Sequence, residues 1–176
     1  MFDFKPYPKT PRFFREVVVT EKIDGTNGQI LITEDNLIGA ASKNRVLTLA
    51  DDNYGFYRWV HDNREELLKL GPGAHAGEWW GRGIQRNYAR PDRVFSLFNA
   101  GRWTAENVPA CVSVVPILYS GVLEPTTVHK CLAKLRNEGS IAAPGFMNPE
   151  GVILYHTAAK TSFKVTLDND DKAKGE

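Results

Sequence analysis

Short apolar runs punctuated by turn residues constrain this chain more than any other feature. Glu16-Val17-Val18-Val19-Thr20 is β-branched and too short for a stable helix. It is followed by the turn-forming Asp24-Gly25-Thr26-Asn27-Gly28 and then by a second run, Gln29-Ile30-Leu31-Ile32-Thr33. Glu34-Asp35-Asn36 separates that run from Leu37-Ile38-Gly39-Ala40-Ala41. Runs of this length with turn chemistry between them predict a β-meander at the start of the domain. Further strands are expected at about 74–79, 93–98, 151–155 and 161–167, with one more in the proline-punctuated stretch Val112 to Leu118.

The period changes twice. Between Asp51 and Leu70, residues Phe56, Trp59, Val60, Asn63, Leu67 and Leu70 recur at helical spacing, and Gly71-Pro72-Gly73 stops the pattern. Val128, Cys131, Leu132 and Leu135 share one face of a second predicted helix, with Thr126 or Thr127 as its N-cap and Gly139 at its end. Strands dominate and two helices are inserted, so the predicted class is α+β with mostly antiparallel sheets. The first fifteen residues, with Pro6, Pro8 and Pro11, read as an extended arm.

With 176 residues and no long linker, the chain is expected to be one domain over 1–167 with a charged tail at 168–176. It carries 22 Lys+Arg against 21 Asp+Glu, so any nucleic-acid surface must come from local concentration of positive charge. Cys111 and Cys131 stand far apart, which argues against zinc and disulfide frameworks and for a reducing, cytoplasmic setting. No apolar run is long enough to cross a membrane, and the first residues lack a signal-peptide core.

The segment richest in chemistry is Glu21-Lys22-Ile23-Asp24-Gly25-Thr26-Asn27. A lysine at a strand end, followed by a turn, can project its amine into an open pocket whose surroundings tune it as a nucleophile. Standing alone, the same pattern also describes a surface lysine entering a hairpin. Four further segments tip the balance. Gly77-Glu78-Trp79-Trp80-Gly81 sets a carboxylate between glycines at a strand end, where backbone approaches a ligand closely. Arg93-Val94-Phe95-Ser96-Leu97-Phe98-Asn99 offers aromatic faces for base stacking. Glu150-Gly151-Val152 begins a strand with a carboxylate, and Ser162-Phe163-Lys164 puts a lysine on the last one.

In this order the motifs resemble those of the covalent nucleotidyltransferase superfamily of ligases and mRNA capping enzymes. They resemble most closely the RNA ligases of the type that seals double strands. The likeness runs from about Lys9 to Lys164 and implies an ATP-grasp-like nucleotidyltransferase core. Asn27 stands where DNA ligases and capping enzymes carry arginine, which favours RNA ligase over a DNA ligase or a GTP-dependent capping-type enzyme.

By this resemblance, Lys22 would take AMP from ATP through a phosphoramide bond, with Lys164 contacting the α-phosphate. Glu21 would meet the adenine edge mainly through its backbone, Asn27 would lie near the ribose or phosphates, and Glu78 would bind the ribose hydroxyls. Phe98 would stack on adenine. Lys43 or Arg45 would bind ribose and incoming nucleic acid, and Glu150 would help hold Mg²⁺ or Mn²⁺. Apart from the resemblance, Arg82, Arg86, Arg90 and Arg93 form a basic stretch that reads as a phosphate-contacting surface. The partner implied is a nucleic acid with 5′-phosphate and 3′-hydroxyl ends, RNA rather than DNA, joined by a monomer.

Two departures bear on activity. Asn99 replaces the usual aspartate after the phenylalanine, and Lys164 is the single lysine of a motif that usually has two. They leave open a non-catalytic nucleotide-binding relic of the fold. With the last motif close to the end of the sequence, the expectation is self-contained adenylation, with sealing weak, salt-sensitive or aided by a helper protein. Other residues read as structural: one of Trp79 and Trp80 in the core, His61 and His129 on helix surfaces, and Cys131 as a small core hydrophobe.

Overall fold

The computed structural model describes residues 2–168. The charged tail beyond Asp168 lies outside the described residues. In chain order the elements are β1 (Glu16–Lys22), β2 (Thr26–Ile32), β3 (Ile38–Ser42), α1 (Phe56–Asp62), α2 (Arg64–Leu67), a 3₁₀ turn (Leu68–Leu70) and β4 (Gly73–Gly81). There follow β5 (Arg93–Leu97), β6 (Val112–Val114), β7 (Ile117–Val122), α3 (Thr127–Glu138), β8 (Gly151–His156) and β9 (Thr161–Thr166). The class is α+β, as the sequence pattern predicts.

The strands form two sheets, one of order β7-β1-β8-β9 and one of order β3-β2-β4-β5-β6. All named pairings are antiparallel except β5 with β6. Residues alternate between faces along a strand. On the five-stranded sheet, Ile30, Ile32, Trp79, Phe95 and Leu97 share one face and pack against Phe56, Val60 and Leu67 of the two short helices. The opposite face carries Asn27, Glu78 and Ser96, aligned across three strands by the pairs Asn27↔Glu78 and Glu78↔Ser96. The four-stranded sheet packs Val17, Val19, Val152 and Leu154 against Cys131, Leu132 and Leu135 of α3. Its other face carries Lys22. A third, smaller cluster of Ile23, Trp80, Tyr88, Val115 and Ala143 joins the two sheets beneath the residues of the Lys22 turn.

Three expectations are corrected. The helix expected over Asp51 to Leu70 begins at Phe56 and breaks at Asn63, whose side-chain amide donates to the Trp59 carbonyl at 2.8 Å. Asparagine offers the backbone this alternative partner, so the apolar stripe continues while the helix does not. The single strand expected over Val112 to Leu118 is two strands in different sheets. Pro116, with no N–H to give a ladder, marks the crossing, and its carbonyl accepts from the Glu21 amide at 2.9 Å. Finally, Trp79 and Trp80 are both 2% exposed, on opposite faces of β4, so both are core residues and neither clamps a base. Their indole N–H groups donate to the Tyr54 carbonyl and the Ser96 hydroxyl.

The second helix runs as expected, and Gly139 closes it at φ +81°. Thr126 is its N-cap by position without a side-chain bond, whereas the Thr127 hydroxyl accepts from the Glu124 amide at 3.0 Å. His61 and His129 are exposed and Cys131 is buried. Among the described residues, no helix is long and apolar enough to cross a membrane.

Candidate active site

The end of β1 and the start of β2 approach β4 at Gly25. A Cβ on Gly25 would lie 2.5 Å from the Trp79 carbonyl oxygen and 2.7 Å from the Trp80 Cβ. Glycine is therefore required by close approach, since such contacts are sterically forbidden. The approach lets the Gly25 amide donate to Glu78 Oε1 at 3.0 Å, while Asn27 Nδ2 donates to Oε2 at 2.9 Å. Glu78 is 7% exposed, and burial pushes its carboxyl up to about 7 against the pull of these two donors and of Lys22.

Lys22 closes β1 in register with Gly151, which places it beside the residue that starts β8. Its ammonium reaches Glu150 Oε2 at 2.5 Å, across 128 residues of sequence, with side-chain exposures of 22% and 16%. The cost of desolvating such a pair is moderated by its open side. That side is a polar cavity of about 440 Å³ lined by Lys22, Asp24, Gly25, Thr26, Asn27, Glu78 and the segment Ser42 to Arg45. This volume lies in the range of small-ligand sites.

Of the residues singled out in the sequence, the cavity brings together Lys22, Asn27, Lys43, Arg45 and Glu78, with Glu150 bonded to Lys22. Arg45 forms a two-pronged pair with Asp51 at 2.6 and 2.8 Å, which fixes the outer wall while leaving the guanidinium half in solvent. Lys164 is exposed on β9 and shares the Lys22 face, one residue row away. Thr20, Ile153 and Lys164 align in one row, and Lys22, Gly151 and Thr166 in the next. Thr166 thus occupies the row of the nucleophile candidate.

Others are placed elsewhere. Phe98 follows β5, 43% exposed, and does not line the cavity. The Glu21 side chain is 1% exposed and turned away into a nest of donors: the Ser140 hydroxyl at 2.5 Å and the Ile141 and Ala142 amides at 2.8 and 2.9 Å. Arg82 is exposed, with its backbone paired to Asp92. Arg86, expected to contact phosphates, is turned inward and bonded within the protein, to Asp24 Oδ2 at 3.1 Å and Asn148 Oδ1 at 3.0 Å.

Two residues that matter here carry no sequence signal beyond their type. Asn53 lines the cavity and donates to the Thr26 hydroxyl at 3.0 Å. Tyr88 accepts from the Asp24 amide at 2.8 Å. Among the described residues, no group of three or more His, Cys, Asp or Glu side chains is arranged to hold a metal ion. A hard cation here would take Glu150 and fill its remaining positions from phosphate and water, as Mg²⁺ commonly does.

Comparison with known proteins bears on the fold. The chain has the fold of an RNA ligase from Naegleria gruberi. A variant of that enzyme with ATP and Mn superposes with a TM-score of 0.65 at 23% identity, over 89% of this chain and 51% of that one. An apo variant superposes at TM-score 0.62 with 22% identity, over 86% and 49%. The enzyme with PPi gives 0.57 at 23% identity over 86% and 49%. This chain spans about half the length of those ligases. No curated protein matches its sequence significantly. The RNA ligase family model matches residues 15–166, from the residue before β1 to the end of β9, and the chain belongs to that family.

Proposed function

We propose that this chain carries out the nucleotidyl-transfer chemistry of an ATP-dependent RNA ligase, with Lys22 as the nucleophile. The observation that carries the reading is the Lys22–Glu150 pair at 2.5 Å, opening onto a polar cavity that also holds Glu78, Asn27, Lys43 and Arg45. In the first step Lys22 gives up its ammonium proton to water in the open cavity, and the freed amine forms a P–N bond to the α-phosphorus of ATP. The bond from that phosphorus to the bridging oxygen breaks, and pyrophosphate leaves with the electron pair. An oxygen of a 5′-phosphate end then bonds to that phosphorus, the P–N bond breaks, and the Lys22 nitrogen leaves with the electron pair and takes back a proton from water. A 3′-hydroxyl attacks that phosphate, and AMP leaves as the strand is joined.

The residue types suit this chemistry, because phosphoryl-type transfer rests on positioning and on charge neutralisation. Glu78 and Asn27 are proposed to meet the ribose, and Lys43, Arg45 and Lys164 to supply positive charge toward phosphates. Phe98 is proposed to meet the base, and Glu21 and Arg86 to support the Lys22 turn. When bound, Mg²⁺ or Mn²⁺ on Glu150 neutralises phosphate oxygens. The ion pair keeps Lys22 aimed at the cavity until ATP arrives. RNA is the proposed substrate because Asn27 occupies the position that carries arginine in DNA ligases and capping enzymes.

The test is incubation with α-labelled ATP and Mg²⁺, followed by denaturing gel electrophoresis. An acid-labile labelled adduct is expected in the wild type and none in Lys22→Ala. No adduct in the wild type, or an equal adduct in the variant, would sink the proposal. Labelled GTP and nicked DNA run in parallel decide the nucleotide and the strand.

A further inference from the structure

Among the described residues, left-handed non-glycine backbone is concentrated in the loop from Gly83 to Ala89. Seven described non-glycine residues have positive φ, and four of them fall here: Gln85 (44°), Asn87 (62°), Tyr88 (51°) and Ala89 (51°). Each left-handed residue costs about 1–2 kcal/mol, least for asparagine. Such strain persists only where surrounding contacts over-determine it. Those contacts are present. Asn87 Oδ1 accepts from the Gly83 amide at 3.2 Å. The Tyr88 ring, 2% exposed, lies edge-on to Trp80 at 5.1 Å and against Phe146 at 4.7 Å.

Packing alone would be served equally by phenylalanine. The hydroxyl adds something else: it accepts from the Asp24 amide at 2.8 Å, two residues beyond Lys22. Burial, with the nearby carboxylates of Glu21, Glu150 and Asp24, pushes the phenol up, so the hydroxyl keeps its proton throughout the physiological range. From the same loop, Arg86 donates to Asp24 Oδ2 at 3.1 Å and to Asn148 Oδ1 at 3.0 Å. Asn148 stands two residues before Glu150. One strained loop therefore grips the chain just after the nucleophile candidate and just before its carboxylate partner.

We propose that this loop is a positioning strap for the proposed reaction: the Tyr88 hydroxyl and the Arg86 guanidinium hold the Lys22 turn in register with the segment that carries Glu150. The inference rests on the lysyl-adenylate reading given above. Neither residue touches the reacting atoms: Tyr88 acts through Asp24, and Arg86 through Asp24 and Asn148. Tyr88→Phe isolates the effect, since it keeps the ring and its packing and removes only the acceptor. Arg86→Lys keeps the charge and loses the fork that bridges Asp24 to Asn148.

The experiment combines two readouts on the full chain. Hydrogen exchange monitored by mass spectrometry follows the 22–27 segment, and single-turnover labelling with α-labelled ATP gives the adenylation rate and the half-saturating ATP concentration. In Tyr88→Phe, exchange at Asp24 is expected to rise about tenfold and the adenylation rate to fall about tenfold, the size of one lost buried hydrogen bond. Half-saturation by ATP is expected to stay within about twofold, because the lost bond positions the nucleophile and does not bind nucleotide. Arg86→Lys is expected to fall between the two. Faster exchange with an unchanged rate would make the loop merely structural and overturn the proposal, as would a loss confined to ATP affinity. A wild type that forms no adduct overturns the ligase reading instead, and is seen before any variant is compared. The strap is then judged by exchange alone, and unaltered exchange at Asp24 in Tyr88→Phe overturns it.

Discussion

Glu78→Gln should make the protein more stable at neutral pH, although it removes a residue proposed to bind nucleotide. Burial at 7% exposure raises the Glu78 carboxyl from 4.5 to about 7. The folded protein therefore holds a proton on Glu78 where the unfolded chain has released it. Stability from this group is fully present below 4.5, declines as pH rises, and is gone once pH passes about 7. At about 1.4 kcal/mol per pH unit, the shift corresponds to roughly 3 kcal/mol between the two ends of that window. Glutamine matches the protonated carboxyl in size and neutrality, with Asn27 turning its amide to present oxygen. The gap between variant and wild type should then be near zero at pH 4.5 and widen to about 3 kcal/mol by pH 8. Urea unfolding followed by tryptophan fluorescence, at fixed ionic strength across that range, measures it. A gap that stays constant with pH, or a wild type that gains on the variant as pH rises, would refute the reasoning. The result would also show that a functional carboxylate is retained here against the interest of stability.

Other substitutions have expected outcomes of the same kind. Glu21→Ala leaves the Ser140 hydroxyl and two amides without their acceptor in a buried site, and should cost about 3 kcal/mol in chemical denaturation. A loss below about 1 kcal/mol would mean that water replaces the carboxylate. Gly25→Ala drives a methyl into the Trp79 carbonyl and should separate the turn from β4, lowering adduct formation at least about tenfold. A wild-type adduct yield would show that the close approach is dispensable. Arg45→Ala, at an exposed pair, should leave the melting temperature unchanged while raising the ATP concentration needed for adenylation. An unchanged ATP requirement would remove Arg45 from the nucleotide site.

Strand positions were legible because strand length, β-branching and turn residues are local properties. The β1, β3, β4, β5, β8 and β9 boundaries fall within a residue or two of those expected from the pattern, whereas β2 begins at Thr26, three residues earlier and inside the expected turn. What local pattern could not reveal was partnership. The Val112 to Leu118 run reads as one strand because nothing within it records that its halves pair with β5 and β1. Asn63 sits in phase with an apolar stripe, yet its side chain takes the Trp59 carbonyl and ends the helix. At the site, Lys22, Glu78 and Glu150 stand out by motif, but the role of Glu21 is invisible without the loop at 140–142. Tyr88 was the hardest to foresee. Its hydroxyl meets the Asp24 amide across 64 residues of sequence, and its ring packs against the distant Phe146.

The two sheets also differ in when a growing chain can build them. The sheet of β3-β2-β4-β5-β6 draws all its strands from 26–114 and mostly joins sequence neighbours. β1, the first strand, pairs among the described residues with β7 and β8, as in Val17↔Gly121 and Val17↔His156. During synthesis the strand bearing Lys22 must therefore wait, without its β7 and β8 partners, until those later segments have left the ribosome. Pairings this distant form slowly, because loop closure precedes any gain in contacts. The Lys22–Glu150 pair is thus a marker of completed folding: a ribosome-stalled chain ending before Glu150 presents the lysine without the partner that aims it.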